Sequence, residues 1–285
     1  MGGTILPEDL AFDVAAPGQP LQPRARGSLH LSCHKADGVT RIEALRHSGS
    51  LKVLFPASRS EMMSAVLLNT AGGITGGDEF SIQISAQPRS AVSLTSQAAE
   101  RAYRAQPGET GKVSVKLCAK SGAHLAWLPQ ETLLYDGSLL RRQLDAQVAG
   151  DAGLLLVEPI VFGRIAMGEV LNETRFEDHW RIRRDGELVL ADAVRLDGVI
   201  QRQLENSAVA KGARAMATVL LVAPNAEAIL PRLQALLDET GGASLIRPGV
   251  LLARLLAPDS FLLRRTLIPV MRLLNQNEIP KNWVL

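Results

Sequence analysis

The stretch Ser90-Ala-Val-Ser-Leu94 begins with small residues and continues as an apolar run, and this pattern returns in Gly122-Ala-His-Leu125 and Ala152-Gly-Leu-Leu155. The three stretches lie roughly thirty positions apart, a period typical of stacked supersecondary units. The recurrence predicts strands that are layered as parallel copies.

Alternating apolar and polar residues predict further strands on both sides of these stretches. Residues 82–84 read Ile-Gln-Ile and residues 113–117 read Val-Ser-Val-Lys-Leu, which is the period of a sheet with one solvent-facing side. Residues 180–182 and 188–190 flank Asp185-Gly186, the two-residue connection favoured in tight hairpins. We therefore expect mostly β-structure up to about residue 222.

The chain changes character after residue 222, and residues 223–277 predict an α+β region. Asn225 is the expected cap of a helix that carries apolar residues up to Leu237, contains Pro231 and is closed by Gly241-Gly242. Two strands are expected next, on either side of Pro248-Gly249.

A second helix is predicted from Phe261 to about Leu274, capped by Asp259 or Ser260. Its broad apolar stripe is typical either of burial on a sheet or of docking to a partner. The tail 278–285 contains Trp283, which could pin the tail or contact another protein. The predicted fold is thus mainly β, with stacked strand layers and two C-terminal α-helices. Residues 1–27 form a predicted flexible N-terminal segment and residues 28–285 a single domain.

Composition excludes several classes of function. The formal net charge is +2 with the basic residues spread out, so the electrostatic footprint of a nucleic-acid-binding protein is missing. No run approaches the ~18 apolar residues of a membrane span, and no segment reads as a secretory signal. Cys33 and Cys118 lack CxxC spacing, which favours reduced thiols. We expect a cytoplasmic protein.

The glycine-rich segment Asn69-Thr-Ala-Gly-Gly-Ile-Thr-Gly-Gly-Asp78 concentrates backbone freedom at one place. It lacks the Lys-Ser/Thr of a Walker loop and the spacing of a dinucleotide fingerprint, so a phosphate cradle is disfavoured. A structural turn is one interpretation. The other is a loop whose glycines let the backbone approach a ligand or partner, with Asp78 as its polar tip.

Candidate metal ligands and buried acids remain. His30, Cys33 and His34 form a local cluster, but on a strand His30 and His34 could share a side while Cys33 points away, so a half-buried strand competes with a metal site. Glu158 lies within an apolar run, where an unpaired carboxylate costs several kcal/mol. Either Arg164 forms an ion pair with it, or Glu158 lines a water-filled passage and holds a divalent cation briefly.

Six ordered blocks carry a resemblance to a known family. Besides the glycine-rich segment, they are Thr95-Ser-Gln-Ala-Ala-Glu-Arg-Ala-Tyr-Arg104, Trp127-Leu-Pro-Gln-Glu-Thr-Leu-Leu-Tyr-Asp-Gly137, Gly163-Arg-Ile-Ala-Met-Gly-Glu169, Trp180-Arg-Ile-Arg-Arg-Asp-Gly186 and Arg195-Leu-Asp-Gly198. From about residue 28 to the last helix, the chain resembles the UreD family of urease accessory proteins, called UreH in some bacteria.

The resemblance implies a non-enzymatic maturation factor with a mainly β, helix-like stack of strands. Members of the family bind UreF, which recruits the GTPase UreG, and the assembly docks on the urease apoprotein so that nickel reaches the active site. It implies no tightly bound cofactor, only transient nickel(II). A pure adaptor for UreF that never contacts nickel is the alternative. An enzyme is disfavoured because a nucleophile, a cofactor motif and a carboxylate pair at a defined spacing are all missing.

The resemblance also implies roles for individual residues. Four acids would belong to a polar tunnel for nickel: Asp78, Glu158, Glu169 and Glu131. The other motif positions would shape turns, pack or contact partners: Gly72, Gly73, Gly76, Gly77, Thr95, Tyr103, Arg104, Asp136 and Arg164. Where many relatives have Pro-Gly-Ala this chain has Gln97-Ala98-Ala99, so we expect a different bend after Thr95.

Overall fold

Two β-sheets face each other in the computed structural model, which describes residues 22–57 and 60–284. The strands, in chain order, are β1 (Arg26–Ala36), β2 (Val39–Gly49), β3 (Leu51–Leu54), β4 (Met63–Asn69), β5 (Glu79–Ala86), β6 (Ala91–Ser96), β7 (Glu100–Ala102), β8 (Gly111–Ala119), β9 (His124–Trp127), β10 (Thr132–Leu134), β11 (Leu139–Val148), β12 (Gly153–Phe162), β13 (Thr174–Arg184), β14 (Glu187–Gly198), β15 (Ala215–Val222), β16 (Gly241–Arg247) and β17 (Val250–Ala257).

The chain passes back and forth between a seven-stranded and a ten-stranded sheet. The seven-stranded sheet has the order β14-β13-β11-β8-β5-β1-β2. The ten-stranded sheet runs β16-β17-β15-β12-β9-β6-β4-β3, and the short strands β10 and β7 extend it from β12. Because β5, β8, β11 and β13 pair in parallel, as do β4, β6, β9 and β12, successive passes stack as coils.

The thirty-residue recurrence is confirmed as the register of these coils. Ala91 pairs with His124, and His124 pairs with Gly153, so the starts of the three quoted stretches are stacked on one another. A Cβ on Gly153 would lie 2.9 Å from the Nδ1 atom of His124, which explains a glycine there. The mainly β, layered fold predicted from the sequence is therefore correct.

Local turn chemistry also confirms the predicted hairpin and one helix. Asp185 and Gly186 both have positive φ, at 51° and 83°, and connect the antiparallel strands β13 and β14. A helix that we label α3 spans Ser260–Leu274, and the Asp259 side chain accepts a hydrogen bond from the Leu262 backbone N–H at its start.

The bounds of one predicted helix need correction, and one helix was not predicted. Helix α2 spans Ala226–Gln234, so Leu237 lies beyond it, and Gly241 and Gly242 begin strand β16 instead of closing the helix. Pro231 is inside the helix, and Asn225 precedes it without a side-chain capping bond. A short helix that the sequence analysis missed, α1, spans Ile200–Glu205.

Strand β1 begins at Arg26, and just before it the Ala25 backbone N–H donates to the Asp78 carboxylate. Residues 1–21 of the predicted N-terminal segment lie outside the described residues.

Two apolar layers result from this arrangement. One fills the space between the sheets, and the other lies between the ten-stranded sheet and helices α2 and α3. The apolar stripe of α3 therefore packs on the sheet, with Leu263, Leu267 and Val270 buried. Neither α2 nor α3 packs on the seven-stranded sheet.

Candidate functional site

A buried charge cluster lies between the two sheets. Strand β12 alternates between the two apolar layers, so Glu158 points into the layer between the sheets together with Leu156 and Ile160. Arg142 on β11 and Asp178 on β13 point into the same layer from the opposite sheet. All three side chains are less than a tenth exposed.

Arg142 bridges the two acids. Its Nη1 atom donates to Glu158 Oε2 at 2.7 Å and to the Thr132 hydroxyl at 3.0 Å, and its Nη2 atom donates to Asp178 Oδ2. The Trp127 indole N–H donates to the other Glu158 oxygen at 2.6 Å. The cluster joins one guanidinium to two carboxyl groups by hydrogen bonds, but the buried Nε atom of Arg142 has no hydrogen-bond partner among the described residues.

The pKa values of Glu158 and Arg142 reflect both their burial and the charges beside them. Burial raises the pKa of Glu158; the attraction of Arg142 offsets only part of that, and repulsion by the Asp178 carboxylate raises the pKa further. Burial alone would lower the pKa of Arg142, but the Asp178 and Glu158 carboxylates more than offset it and raise the pKa. Arg142 therefore stays protonated.

A narrow cavity of about 80 Å³ lies beside this cluster and is lined by a third acid, Glu100. The Asn69 side chain donates to both Glu100 carboxylate oxygens at 3.2 and 3.3 Å. Burial nevertheless raises the pKa of Glu100 to about 7. The cavity thus brings together three carboxyl groups and one guanidinium, among mainly apolar walls.

The other acids predicted to belong to the tunnel, Asp78, Glu131 and Glu169, do not line this cavity. Glu169 forms a bidentate pair with Arg164, at 2.8 and 3.0 Å, which lowers the pKa of Glu169 to about 2. Arg164 therefore does not neutralise Glu158, contrary to one of the two interpretations drawn from the sequence. The partner is Arg142, which is distant in sequence but adjacent across the space between the sheets.

Arg164 instead belongs to an aromatic and charged cluster at the surface. Its guanidinium lies 4.3 Å from the Tyr135 ring, which meets the Tyr103 ring edge-on at 5.1 Å. Arg104 pairs with Asp136, whose carboxylate also accepts backbone N–H bonds from residues 172 and 173. These motif residues hold three loops together.

Asp78 completes a turn. Its carboxylate accepts the Thr75 and Ala25 backbone N–H groups at 2.8 and 2.7 Å. Gly77 adopts a positive φ of 80°, and a Cβ on Gly73 would lie 2.2 Å from the Tyr103 ring. The glycine-rich segment is thus a connection between β4 and β5 that brings the backbone close to other protein atoms.

The remaining glycines of this segment serve the same connection. Gly72 has a positive φ of 78°, and a Cβ on Gly76 would approach Glu109 Cβ to 2.7 Å.

Glu131 ties the end of the chain to the sheet. Its carboxylate accepts two hydrogen bonds from Arg264 on α3, and the Arg264 guanidinium lies 4.9 Å from the Trp283 ring. The Trp283 indole donates to the Leu128 carbonyl at 3.0 Å, so the tail is pinned. Thr95, nearly fully buried, lies against the same tail.

The histidine and cysteine cluster on β1 is split as the strand geometry suggests. His30 is exposed, whereas Cys33 is fully buried with its Sγ atom 3.7 Å from the Ser90 hydroxyl. Across the parts of the chain that the structure describes, no group of three His, Cys, Asp or Glu side chains could hold a metal ion. No helix in the described ranges is long and apolar enough to cross a membrane.

The sequence analysis placed Glu158 in the site but missed Arg142, Asp178 and Glu100. A signal for two of them existed. Arg142 lies two residues from Leu140 and from Leu144, and Asp178 lies two residues from Phe176 and from Trp180. Because residues two apart in a strand share a face, the periodicity places both charges on the inward side with these apolar residues. Which acid each cation meets depends on the stacking of coils, which the sequence does not give.

Comparison with known proteins identifies a family. Residues 25–283 match the family model described as UreD urease accessory protein. A Ruegeria pomeroyi protein named urease accessory protein UreD is 52% identical over 244 residues, covering 86% of this chain and 95% of the relative. Proteins of the same name from Roseobacter denitrificans and Mesorhizobium japonicum are 46% and 42% identical, covering 92% and 93% of this chain and 96% of each relative.

Proposed function

The chain belongs to the UreD family of urease accessory proteins, and on that premise we propose that it helps deliver nickel to apo-urease in the cytoplasm. It does so as a non-catalytic partner, binding UreF directly and UreG through UreF. The proposed route for the ion runs past the acids of the cavity between the sheets.

The observation that supports this route is the composition of the cavity. Glu100, Glu158 and Asp178 line one cavity, but in the described part of the chain no three His, Cys, Asp or Glu side chains are placed to hold a metal ion together, so each acid could contact a passing ion only singly or in a pair. Nickel(II) binds imidazole and thiolate tightly, so a path made of carboxylates releases the ion more readily. A carboxyl group with a pKa of about 7, such as Glu100, can exchange a proton for a cation near neutral pH.

A second candidate function is a pure adaptor, and the ion pairs favour it. Glu131, Glu158 and Glu169 each pair with an arginine, and the carboxylate of Asp78 accepts two backbone N–H groups. Carboxylates held in this way need not meet a passing ion. In this alternative the charges only fix the shape that UreF and urease recognise.

Nickel loading of urease distinguishes the two functions. The cavity variant is E100Q/E158Q, which retains the Arg142 pair with Asp178 and keeps both side chains able to form hydrogen bonds. The matched control is E131Q/E169Q, which likewise replaces two acids, here two that pair with arginines outside the cavity. Each variant is co-expressed with UreF, UreG and the urease subunits, and purified urease is assayed for nickel per active site.

A nickel passage through the cavity predicts a low nickel content with E100Q/E158Q and a normal content with E131Q/E169Q. Copurification of the variant with UreF must remain intact, so that loss of binding is not mistaken for loss of passage. Normal nickel content with both variants would refute the passage and leave the adaptor. Failure of the unaltered chain to copurify with UreF or urease would refute both.

A further inference from the structure

The outer face of the seven-stranded sheet is bare and polar. Its side chains stand in four rows across the strands, because the parallel register places equivalent positions side by side. We call this set the polar sheet face. Read from the β1 side towards β14, the first row is Arg26, Glu79, Lys112, Arg141, Glu177 and Arg195, and the second row is Ser28, Ser81, Ser114, Gln143 and His179. The third row begins on β2 and is Arg46, His30, Gln83, Lys116, Asp145 and Arg181. The fourth row is Ser32, Ser85, Cys118, Gln147 and Arg183.

The polar sheet face is more basic than the chain as a whole. Its rows carry eight basic and three acidic side chains, and a fourth acid, Glu43, accepts a hydrogen bond from Ser32 of the fourth row, so the net charge is +4, whereas the whole chain carries +2. The rest of the chain is therefore acidic on balance. Such an asymmetric distribution steers association with a surface of opposite sign.

Several of these cations have no internal partner. Glu79 and Glu177 pair with basic neighbours on the face. No described carboxylate lies within 4 Å of the charged groups of Lys116, Arg181 or Arg183. Their charge remains available to another molecule.

The size and chemistry of the face suit a folded protein. The longest rows cross six strands about 4.8 Å apart, and with four rows about 6.8 Å apart the face covers about 500 Å², more than half of the ~800 Å² that each partner buries in a standard interface. Hydroxyl and amide side chains fill the rows between the charges and can form the hydrogen bonds such an interface needs. A shallow depression of about 580 Å³, lined by Ser28, Ser81 and Ser114 among others, is large enough to hold a protruding loop of a partner protein.

Nucleic acid fits the face less well. Asp145 stands directly between Lys116 and Arg181 in the register, so a phosphate bound there would meet a carboxylate. The rows contain no Phe, Tyr or Trp side chain on which a base could stack. Interspersed acids that repel phosphate can instead meet the occasional cation of a protein surface.

We propose that the polar sheet face docks an acidic protein surface within the assembly of this chain with UreF, UreG and apo-urease. The inference rests on the proposed membership of that assembly and adds the face and the charge of the contact. It does not depend on whether nickel passes through the cavity.

Charge reversal tests the contact. The variant K116E/R181E/R183E changes three cations without an internal partner, and R202E/R232E/R272E makes the same change in net charge on exposed positions of α1, α2 and α3. Each tagged chain is co-expressed with UreF, UreG and the urease subunits, treated with nuclease and affinity-purified at low and high salt. We expect the face variant to retain partners about tenfold less strongly than wild type at low salt, and the control to retain them normally.

Two further measurements keep the test decisive. K116Q/R181Q/R183Q removes the charges without placing new acids beside Asp145, and serves if the reversed variant does not fold. Surface acetylation followed by mass spectrometry reports whether Lys116, exposed in the free chain, becomes protected in the assembly.

The outcomes separate the inference from its premise. Equal loss of partners in the face variant and the control, equal retention in both, or full labelling of Lys116 in the assembly would overturn the docking face alone. Loss of all retained partners after nuclease treatment would show nucleic acid as the occupant and would also overturn it. If the wild-type chain retains no urease maturation partner, the proposed function fails and the inference fails with it.

Discussion

Replacing Arg142 by methionine should strongly destabilise the fold, because it removes the cation shared by two buried acids. Glu158 and Asp178 are each only 6% exposed, and the guanidinium reaches both. Breaking a buried ion pair by removing one partner costs about 3–5 kcal/mol. A bound on this cost follows from titration: keeping one carboxyl group of pKa near 4.3 neutral at pH 7 costs about 3.7 kcal/mol. If one acid becomes protonated and the other keeps its hydrogen bonds, we expect R142M to lose about 4 kcal/mol.

The pH dependence is a sharper test than the magnitude. In R142M the folded-state pKa of the unpaired acid lies above its unfolded value, so the folded chain binds the extra proton. The variant is then relatively more stable at low pH and loses stability as pH rises, by about 1.4 kcal/mol per unit for one proton. Because burial already raises the pKa of Glu158 in wild type, the destabilisation of R142M relative to wild type should shrink between pH 7 and pH 5 by at most about 2.7 kcal/mol.

Denaturant unfolding of the purified chain at pH 5 and pH 7 measures both quantities, and two variants control for packing. R141M changes the adjacent, outward-facing arginine, whose pair with Glu177 is partly exposed, and should cost at most about 1 kcal/mol. R142M/E158Q/D178N removes all three charges and should recover most of the loss. The reasoning is wrong if R142M costs no more than R141M, or if its cost is the same at both pH values.

Two other variants test the cavity and the tail. Because burial raises the pKa of Glu100 from 4.5 to about 7, the stability it contributes is complete below pH 4.5 and lost as pH rises through 7. E100Q should therefore gain about 1–3 kcal/mol at pH 8 and flatten the decline in unfolding free energy between pH 4.5 and 7, as measured by denaturant titration at several pH values; an equally steep decline in E100Q would contradict this. W283A removes a fully buried ring and its bond to the Leu128 carbonyl, and should lose about 3–5 kcal/mol with faster proteolysis of the tail. F261A truncates a ring that is 70% exposed and should stay within about 0.5 kcal/mol.

The sequence predicts the coils well because their cause is local. Small residues recur at the starts of the stacked strands, where Ala91 pairs with His124 and His124 pairs with Gly153. The two-residue periodicity of each strand fixes which side chains face inward. The hairpin at Asp185-Gly186 and the cap at Asp259 are likewise set by a few adjacent residues. These features need no knowledge of distant contacts.

The charge pairs are harder to predict because they depend on distant parts of the chain. Glu158 lies five residues before the Gly163-Arg164 motif, yet it pairs with a residue on the opposite sheet. Arg164 turns back to Glu169 because the chain makes a tight loop there, with Gly168 at a positive φ of 65°. Nearness in sequence favoured the wrong partner, since strand β12 carries Glu158 inward before the chain leaves the sheet.

The same charge pairs limit how the chain could handle nickel. The cluster sets two carboxyl groups, Glu158 and Asp178, against a single guanidinium and offers a cation none of the imidazole or thiolate ligands that would retain it. A divalent ion must then compete with Arg142 for the same oxygens, and Arg142 cannot leave a site where it is held by three hydrogen bonds to two acids and a threonine. We therefore expect the chain alone to bind nickel weakly even if it lies on the route, so a weak affinity of the isolated chain cannot decide between conduit and adaptor, whereas the nickel content of urease matured with E100Q/E158Q can.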